Sequence, residues 1–154
     1  MNKFPQFAAV VGSILLTTFT LNVHAEDGLV RLKSVSSVAD TADKLETVLR
    51  AKGMTVFSRI NHSKGAESVG LTLTPTEVVI FGNPKIGTLL MNCSPQVAID
   101  LPQKALIQQD KNGQVWLSYN DPQYLAGRHN MQGCEEPLKK VSGALNKFAQ
   151  KATQ

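Results

Sequence analysis

Residues 78–102 read VVIFGNPKIGTLLMNCSPQVAIDLP and decide how the middle of the chain folds. The apolar run from Val78 to Phe81 predicts a strand, which Gly-Asn-Pro at 82–84 ends. Beyond it, apolar residues recur at intervals of three and four, the spacing of one helix face: Ile86, Leu89, Leu90 and Cys93. Ser94 followed by Pro95 predicts a second short helical turn, because a hydroxyl cap before a proline is typical of helix starts. The stretch therefore predicts a strand, a helix and a kinked continuation, and it contains no catalytic signature.

Outside this stretch, the hydrophobic periodicity changes several times between that of a strand and that of a helix. It predicts further strands at 29–35, 54–60, 105–109 and 115–119. It predicts helices at 38–52 and from Glu135 onward, with one helical turn at 124–129. The polar residues 61–65 predict a loop, and Asp-Lys-Asn-Gly at 110–113 predicts the tight turn of a hairpin. This order predicts an α+β domain, a two-layer sandwich with a mainly antiparallel sheet and helices on one face.

The first 25 residues have the pattern of a secretory signal peptide. Lys3 carries positive charge, the run from Phe7 to Leu21 is apolar and uncharged, and small residues stand at the end of the segment. We therefore predict cleavage between Ala25 and Glu26, a single domain of residues 26–154, and a periplasmic or secreted protein. The alternative is a retained membrane anchor, but an apolar run of about 15 residues is shorter than the roughly 20 that span a bilayer. No stable membrane insertion is expected after cleavage.

The charge of the chain is weakly positive and dispersed. Without the first 25 residues, 15 Lys and Arg stand against 12 Asp and Glu, a formal charge of +3. Lys139-Lys140 is the only adjacent basic pair, and it lies among apolar positions of the last predicted helix, so it indicates a solvated helix face. Nucleic acid is therefore not expected as a partner.

Both cysteines, Cys93 and Cys134, follow the predicted cleavage point. An exported chain reaches an oxidising compartment, so we predict a disulfide between them. This bridge would close a loop of about 42 residues, worth roughly 4 kcal/mol of chain entropy, and would tie the central helix to the last one. The alternative is a reduced Cys93 on the apolar helix face and an exposed Cys134. Neither cysteine lies in a CxxC motif, which argues against redox catalysis.

Several blocks of residues occur together in a fixed order: His62 with Ala66 and Gly70, FGNP at 81–84, Gly87, DLP at 100–102, DKNGQVWLSYNDP at 110–122 and YLAGRH at 124–129. Together they resemble the domain-of-unknown-function family 302, over about residues 29–152. The resemblance implies a curved sheet with helices behind it, similar to the topology of the TATA-binding protein, and no established activity. The cysteine pair is similar to a feature of exported members. Where many relatives carry an aspartate before the histidine, this chain has Asn61.

The segment from Gly82 to Thr88 has the glycine spacing of a phosphate-binding loop between a strand and a helix. However, Thr88 stands where a lysine should follow the second glycine, and Pro84 removes one amide donor. A helix that begins with Pro84 in its first turn accounts for the same residues. Nucleotide binding is therefore not expected, and a weaker anion contact at this helix end stays open.

The favoured candidate site consists of four polar residues: His62, Asn83, Arg128 and His129. They lie in blocks that resemble the family, and hydrophobic packing does not require them, so they predict a cleft for a small polar or anionic ligand. The alternative is that the two histidines make hydrogen bonds that hold their loops. Two imidazoles are too few for a closed metal site unless a carboxylate joins them, such as Glu67 or Asp121. No metal and no cofactor is therefore expected.

Catalytic motifs do not favour an enzyme. No serine lies in a GxSxG elbow, neither cysteine has a histidine at a recognised spacing, and no CxxCH could attach a haem. We therefore expect a binding or accessory protein that recognises an unknown small ligand or a protein partner. Two alternatives remain: a homodimeric interaction module that pairs through its sheet, and a metal-assisted enzyme.

Overall fold

A computed structural model describes residues 24–26 and 28–154 of the chain. Most of the predicted signal peptide, residues 1–23, lies outside the described residues. The strands are β1 (His24–Glu26), β2 (Leu29–Ser34), β3 (Thr55–Asn61), β4 (Thr76–Gly82), β5 (Gln103–Gln109) and β6 (Val115–Asn120). The α-helices are α1 (Val38–Ala51), α2 (His62–Ser68), α3 (Pro84–Cys93), α4 (Pro122–Arg128) and α5 (Glu135–Thr153), and a 3-10 helix spans Pro95–Ile99.

The strands form one open sheet in the order β1-β2-β6-β5-β4-β3, and every neighbouring pair is antiparallel. The tight turn at 110–113 joins β5 to β6, and Gly113 adopts a φ of 81° there, as the predicted hairpin requires. The predicted cleavage point falls inside β1, where Ala25 pairs with Val30 and Glu26 with Leu29. Signal-peptide cleavage itself stays a prediction.

The core lies between one face of this sheet and the helices α1 and α5. Alternate strand residues such as Val79, Ile107 and Leu117 point toward the helices and are at most 1% exposed. From α1, Leu45 and Leu49 pack against them, one turn apart on the same helix face. The side chain of Ser37 accepts from the backbone N–H of Asp40 at 3.1 Å and so caps α1, as a serine before the first helical residue commonly does. The α+β sandwich with an antiparallel sheet is thus confirmed.

A polar cluster holds the edge strand β3 against β4 and α1. Glu77 on β4 is 6% exposed, and it accepts from Arg59 Nε at 2.5 Å and from Asn61 Nδ2 at 2.9 Å. Arg59 also pairs with Asp43 of α1. Burial alone would lower the pKa of Arg59, but the hydrogen bonds to the two carboxylates outweigh burial and raise it. This cluster provides an ionic contact where the core reaches the sheet edge.

The predicted loop at 61–65 is wrong, because α2 begins there. The side chain of Asn61 accepts from the backbone N–H of Lys64 at 2.8 Å and caps the helix. Ser63 then fixes the return of the chain, since its hydroxyl accepts from the backbone N–H of Thr76 at 2.8 Å. A short polar helix has no apolar stripe, so periodicity alone did not reveal it.

Neither α1 nor α5 packs on the other face of the sheet. Val78 and Ile80 point to this side and are half-buried, and Val78 pairs with Leu106 on one neighbouring strand and Ile60 on the other. Ile60 is 40% exposed. The sheet therefore presents a partly apolar surface opposite the core.

Candidate functional site

The strand β4 separates His62 from Asn83. His62 begins α2 directly after Asn61, which pairs with Glu77 near the start of β4. Asn83 follows Gly82 at the other end of the same strand. A strand of 7 residues is about 20 Å long. The structure therefore does not bring His62 to Asn83.

His129 makes a buried contact with Asp100, the residue that ends the 3-10 helix. Its Nε2 lies 2.5 Å from Asp100 Oδ2, and its side chain is 6% exposed. Arg128 is half exposed, and its Nε lies 3.5 Å from the same oxygen. The imidazole thus ties the end of α4 to the segment before β5. The alternative prediction was that the histidines make hydrogen bonds that hold their loops. His129 makes a contact of this kind, and its partner is a carboxylate.

Metal ligands do not cluster in the described part of the chain. Within residues 24–26 and 28–154, no group of three or more His, Cys, Asp or Glu side chains is placed to hold a metal ion. Cys93 and Cys134 are bonded to each other, with their Cα atoms 6.2 Å apart, a normal separation for a disulfide. The bridge joins the end of α3 to the residue before α5.

A groove with a volume of about 1000 Å³ lies between α3 and α5. This volume is at the upper end of the roughly 300–1,000 Å³ that is usual for ligand pockets. Its walls are mainly apolar side chains from β3, α3, α5 and the 3-10 helix region, among them Phe57, Ile86, Leu90, Met91, Leu101 and Phe148. Of the four predicted site residues, Asn83 alone lines it.

Asn83 shapes the groove through its own hydrogen bonds. Its Oδ1 accepts from the backbone N–H of Lys85 at 3.0 Å, which caps α3. Its Nδ2 donates to the carbonyl of Gly53 at 3.1 Å, which joins α3 to the turn after α1. Asn83 therefore fixes the position of one wall.

Five lysines line the rim of the groove: Lys52, Lys139, Lys140, Lys147 and Lys151. All five are exposed, and no carboxylate of the described residues lies within 4.0 Å of their ammonium groups. One acid, Glu136, also lines the groove. On α5, the residues 136, 140, 143, 147 and 151 recur at intervals of three and four, so they form one stripe beside the buried face. The groove thus follows the border between the charged and the apolar stripe of α5.

Gln103 contributes a buried donor to the same groove. The residue begins β5, is 8% exposed, and lines the groove. Its side-chain Nε2 is closed to solvent and has no hydrogen-bond partner in the described part of the chain. A buried amide without a partner costs about 1–3 kcal/mol, so such a group usually has a reason. An acceptor oxygen of a molecule in the groove reaches this donor once the side chain of Gln103 turns toward the groove.

Two glycines keep the groove open. Gly87 on α3 and Gly143 on α5 both line it, and a Cβ added to either would meet no atom within 4 Å. Glycine inside a helix costs roughly 1 kcal/mol relative to alanine, so neither position is optimal for helix stability. The sequence contains both glycines, but only the packing of α3 beside α5 shows that they face a common space.

The lysines and Gln103 are not among the site residues predicted from the sequence. Lys139 and Lys140 were predicted to lie on a solvated helix face, and they are exposed. Their spacing relative to Lys147 and Lys151 was the available signal, because it places positive charge on one side of α5. Gln103 gave no such signal, since a glutamine at the start of a strand is unremarkable without its surroundings.

Fold and groove together define an α+β domain with an open antiparallel sheet and a basic-rimmed apolar groove at one end of its helical layer. The family model for the domain of unknown function DUF302 matches residues 30–148. The chain belongs to this family. The crystal structure of an uncharacterized conserved DUF302 protein from Bacillus stearothermophilus is similar, with a TM-score of 0.74 at 20% identity. The match covers 82% of this chain and 99% of that one, and it shows the shared fold.

Curated relatives from Brucella are named as ion channels. The chain is 39% identical over 153 residues to proteins named fluoride-specific ion channel FluC 1 in Brucella suis and Brucella abortus. The matches cover 97% of this chain but 55% and 52% of those proteins. The chain therefore spans about half the length of the curated relatives it matches. In residues 24–26 and 28–154, no helix has the length and apolar character needed to cross a membrane.

Proposed function

We propose that this protein is an exported binding protein whose ligand site is the groove between α3 and α5. The observation that carries the proposal is the groove itself, a space of about 1000 Å³ with mainly apolar walls and five lysines at its rim. Large apolar grooves with a few polar groups are typical of small-molecule sites. Of the predicted site, the proposal retains Asn83 and replaces His62, Arg128 and His129 with the five lysines and Gln103.

Export is the second part of this proposal. The N-terminal pattern of a signal peptide and the bonded pair Cys93–Cys134 both support it, since disulfides persist in oxidising compartments. The mass of the protein from the exported fraction tests it. A chain that begins at Glu26 and contains no free thiol is expected. A full-length chain with two free thiols would contradict the proposal.

A groove-filling variant tests the ligand site. Gly143→Leu places a side chain in the open space between α3 and α5, where a Cβ meets nothing within 4 Å. The neutral apolar fluorophore N-phenyl-1-naphthylamine should bind the wild-type protein with one site. Gly143→Leu should weaken this binding at least about tenfold, because the added side chain takes the volume the probe needs.

The matched control is Gly127→Leu on α4. A Cβ at Gly127 also meets nothing within 4 Å, and Gly127 does not line the groove. This variant should bind the probe as the wild type does, and circular dichroism should show both variants folded. If the wild type and Gly143→Leu bind the probe equally, or if the wild type does not bind it, the groove is not a ligand site.

A second candidate function is self-association at the β3 edge of the sheet. Ile60 on β3 and Val69, Leu71 and Leu73 in the segment between α2 and β4 are exposed apolar residues, with exposed fractions of 40%, 69%, 65% and 45%, and we call them the β3 edge patch. Ser63 and Thr76 hold the two ends of the intervening segment together. Exposed apolar residues grouped in this way are typical of protein–protein contacts. The oligomeric state tests this candidate.

A further inference from the structure

The apolar walls of the groove suit a flexible chain more than a rigid ring system. Met54 and Met91 line it, and their unbranched thioether side chains adapt to irregular shapes. Phe57 packs against the backbone of Gly82, where an added Cβ would lie 3.2 Å from its ring. Phe57 is still 54% exposed, so apolar surface remains open to a ligand at this end of the groove. An alkyl chain would remove this surface from water at a gain of about 25 cal/mol per Å².

The rim of the groove favours a negative charge. Five lysines and one acid, Glu136, line it, which leaves an excess of four positive charges. Lys151 lies in the last turn of α5, where the helix dipole by itself favours a cation. Lys139 and Lys140 lie in the second turn, so the dipole does not account for them. Lys147 and Lys151 are four residues apart on one face, an arrangement that is slightly unfavourable for like charges. A bound anion would relieve this repulsion.

Gln103 sets a further requirement for the occupant. Its Nε2 has no hydrogen-bond partner among residues 24–26 and 28–154, so an acceptor atom of the ligand satisfies it when the side chain turns toward the groove. A carboxylate oxygen provides an acceptor and a negative charge at once. Hydrogen bonds to a charged acceptor are stronger than those between neutral groups.

From these observations, which rest on the proposed ligand site, we infer that the groove binds a single-chain amphiphile with a carboxylate head group, of the fatty-acid type. Its alkyl chain lies against the apolar walls between α3 and α5. Its carboxylate lies in the positive field of the lysines, and it accepts from Gln103 Nε2 when that side chain turns toward the groove. No covalent step is involved.

Calorimetry with two ligands of equal chain length tests this inference. Dodecanoate and dodecan-1-ol, each below the concentration at which it aggregates, are titrated into the protein. Dodecanoate should bind about tenfold more tightly than dodecan-1-ol, because several exposed charge contacts of up to about 1 kcal/mol each add to the same apolar burial. The difference should shrink as salt is raised, since salt screens exposed charges. Sodium fluoride, in place of the amphiphile, should give no binding heat in this groove.

Lysine substitutions separate a groove effect from one of net charge. The double variant Lys140→Gln/Lys147→Gln should weaken dodecanoate binding about three- to tenfold and leave dodecan-1-ol unchanged. The control Lys64→Gln/Lys111→Gln removes two exposed lysines that do not line the groove, and it should change neither affinity. If both double variants weaken dodecanoate equally, the lysine rim has no special role and the inference fails.

A last variant uses stability as an independent readout. Gln103→Leu removes the unpartnered amide with little change in volume, so it should raise the unfolding temperature while it weakens dodecanoate binding. If dodecan-1-ol binds as tightly as dodecanoate, the fatty-acid inference fails and the ligand site remains. If neither amphiphile nor N-phenyl-1-naphthylamine binds, the proposed function fails as well.

Discussion

Trp116 is the only tryptophan in the chain, and charged side chains surround it on the open face of the sheet. The guanidinium carbon of Arg31 lies 4.7 Å from the ring centroid, and Lys33 Nζ lies 5.4 Å from it. Such cation–π contacts are worth about 0.5–1 kcal/mol at exposed sites. The indole Nε1 donates to Asp110 Oδ2 at 2.9 Å, which links the ring to the hairpin turn. The fluorescence of Trp116 therefore reports on this part of the sheet.

The hydrogen bond between Trp116 and Asp110 predicts a pH effect. It is the main reason why the pKa of Asp110 lies below its ordinary value of 3.8, with burial acting in the opposite direction. A carboxyl group whose pKa is lowered by folding stabilises the folded state above its unfolded pKa. That stabilisation is lost as the pH falls through the lower folded pKa. We expect the fluorescence of Trp116 to change in a step below pH 3.8.

The variant Asp110→Asn isolates this step. The amide keeps the oxygen that accepts from the backbone N–H groups of Asn112 and Gln114, at 2.8 and 3.0 Å, so the turn should persist. It does not titrate, and the step should therefore disappear from a fluorescence titration followed alongside circular dichroism. An unchanged step in Asp110→Asn would show that another group titrates near Trp116.

At the residue scale, local roles could be predicted from the sequence and distant partners could not. Ser37 as the cap of α1, Pro84 at the start of α3 and Gly113 in the hairpin turn follow from rules that involve neighbours in the chain. His129 is different, because its partner Asp100 lies 29 positions away and meets it only through folding. Its identity as a loop-holding residue or a ligand residue could not be decided without that contact.

At the scale of elements, the disulfide joins the two helices that form the groove. Cys93 ends α3 and Cys134 precedes α5, and the two cysteines are 41 positions apart in the sequence. A closed loop of this length restricts the unfolded chain, and the estimated effect is about 4 kcal/mol of stability. In the folded state, the bridge holds the two walls together at the end of α3.

Removal of the bridge should therefore lower both stability and ligand affinity. We expect the double variant Cys93→Ser/Cys134→Ser to lose about 2–4 kcal/mol of unfolding free energy in urea. It should also bind N-phenyl-1-naphthylamine more weakly, because the spacing of α3 and α5 is no longer fixed by a covalent bond. Reductant should bring the wild type to the same stability and leave the variant unchanged. Equal stability of the oxidised wild type and the variant would contradict this prediction.

The elements themselves were mostly predictable, because apolar periodicity determines which face of each becomes buried. The helix face that contains Leu138, Val141, Leu145 and Phe148 is buried as expected. The exception is α2, a short polar helix held by the cap at Asn61 and by no apolar stripe. The groove was not predictable at this scale, since it arises from the gap between two elements.

At the scale of the whole molecule, the order of the strands decides which residues meet. Because β4 lies between β3 and β5, its two ends carry α2 on one side and α3 on the other. Sequence blocks shared with a family do not contain this information, so His62 and Asn83 could be grouped as one site although they stand at opposite ends of a strand. The same arrangement leaves β3 at the edge of the sheet, beside the exposed residues of the β3 edge patch.

The β3 edge patch predicts that the protein associates in solution. Burial of Leu71 and Leu73 against a second copy would remove exposed apolar surface from water, which favours a dimer at raised concentration. Light scattering coupled to size-exclusion chromatography should show a concentration-dependent shift toward the dimer mass. The variant Leu71→Ser/Leu73→Ser should remain monomeric, and it should stay folded because both side chains are exposed in the monomer.

Val35→Ser provides the matched control, since Val35 is 84% exposed and lies outside the patch, between β2 and α1. It should dimerise as the wild type does, which would show that loss of an exposed apolar side chain outside the patch does not prevent association. If the wild type is a monomer at every concentration, the patch does not mediate self-association. In that case its exposed leucines would require a different protein partner, while the groove, formed by α3 and α5 near the opposite end of β4, would be unaffected.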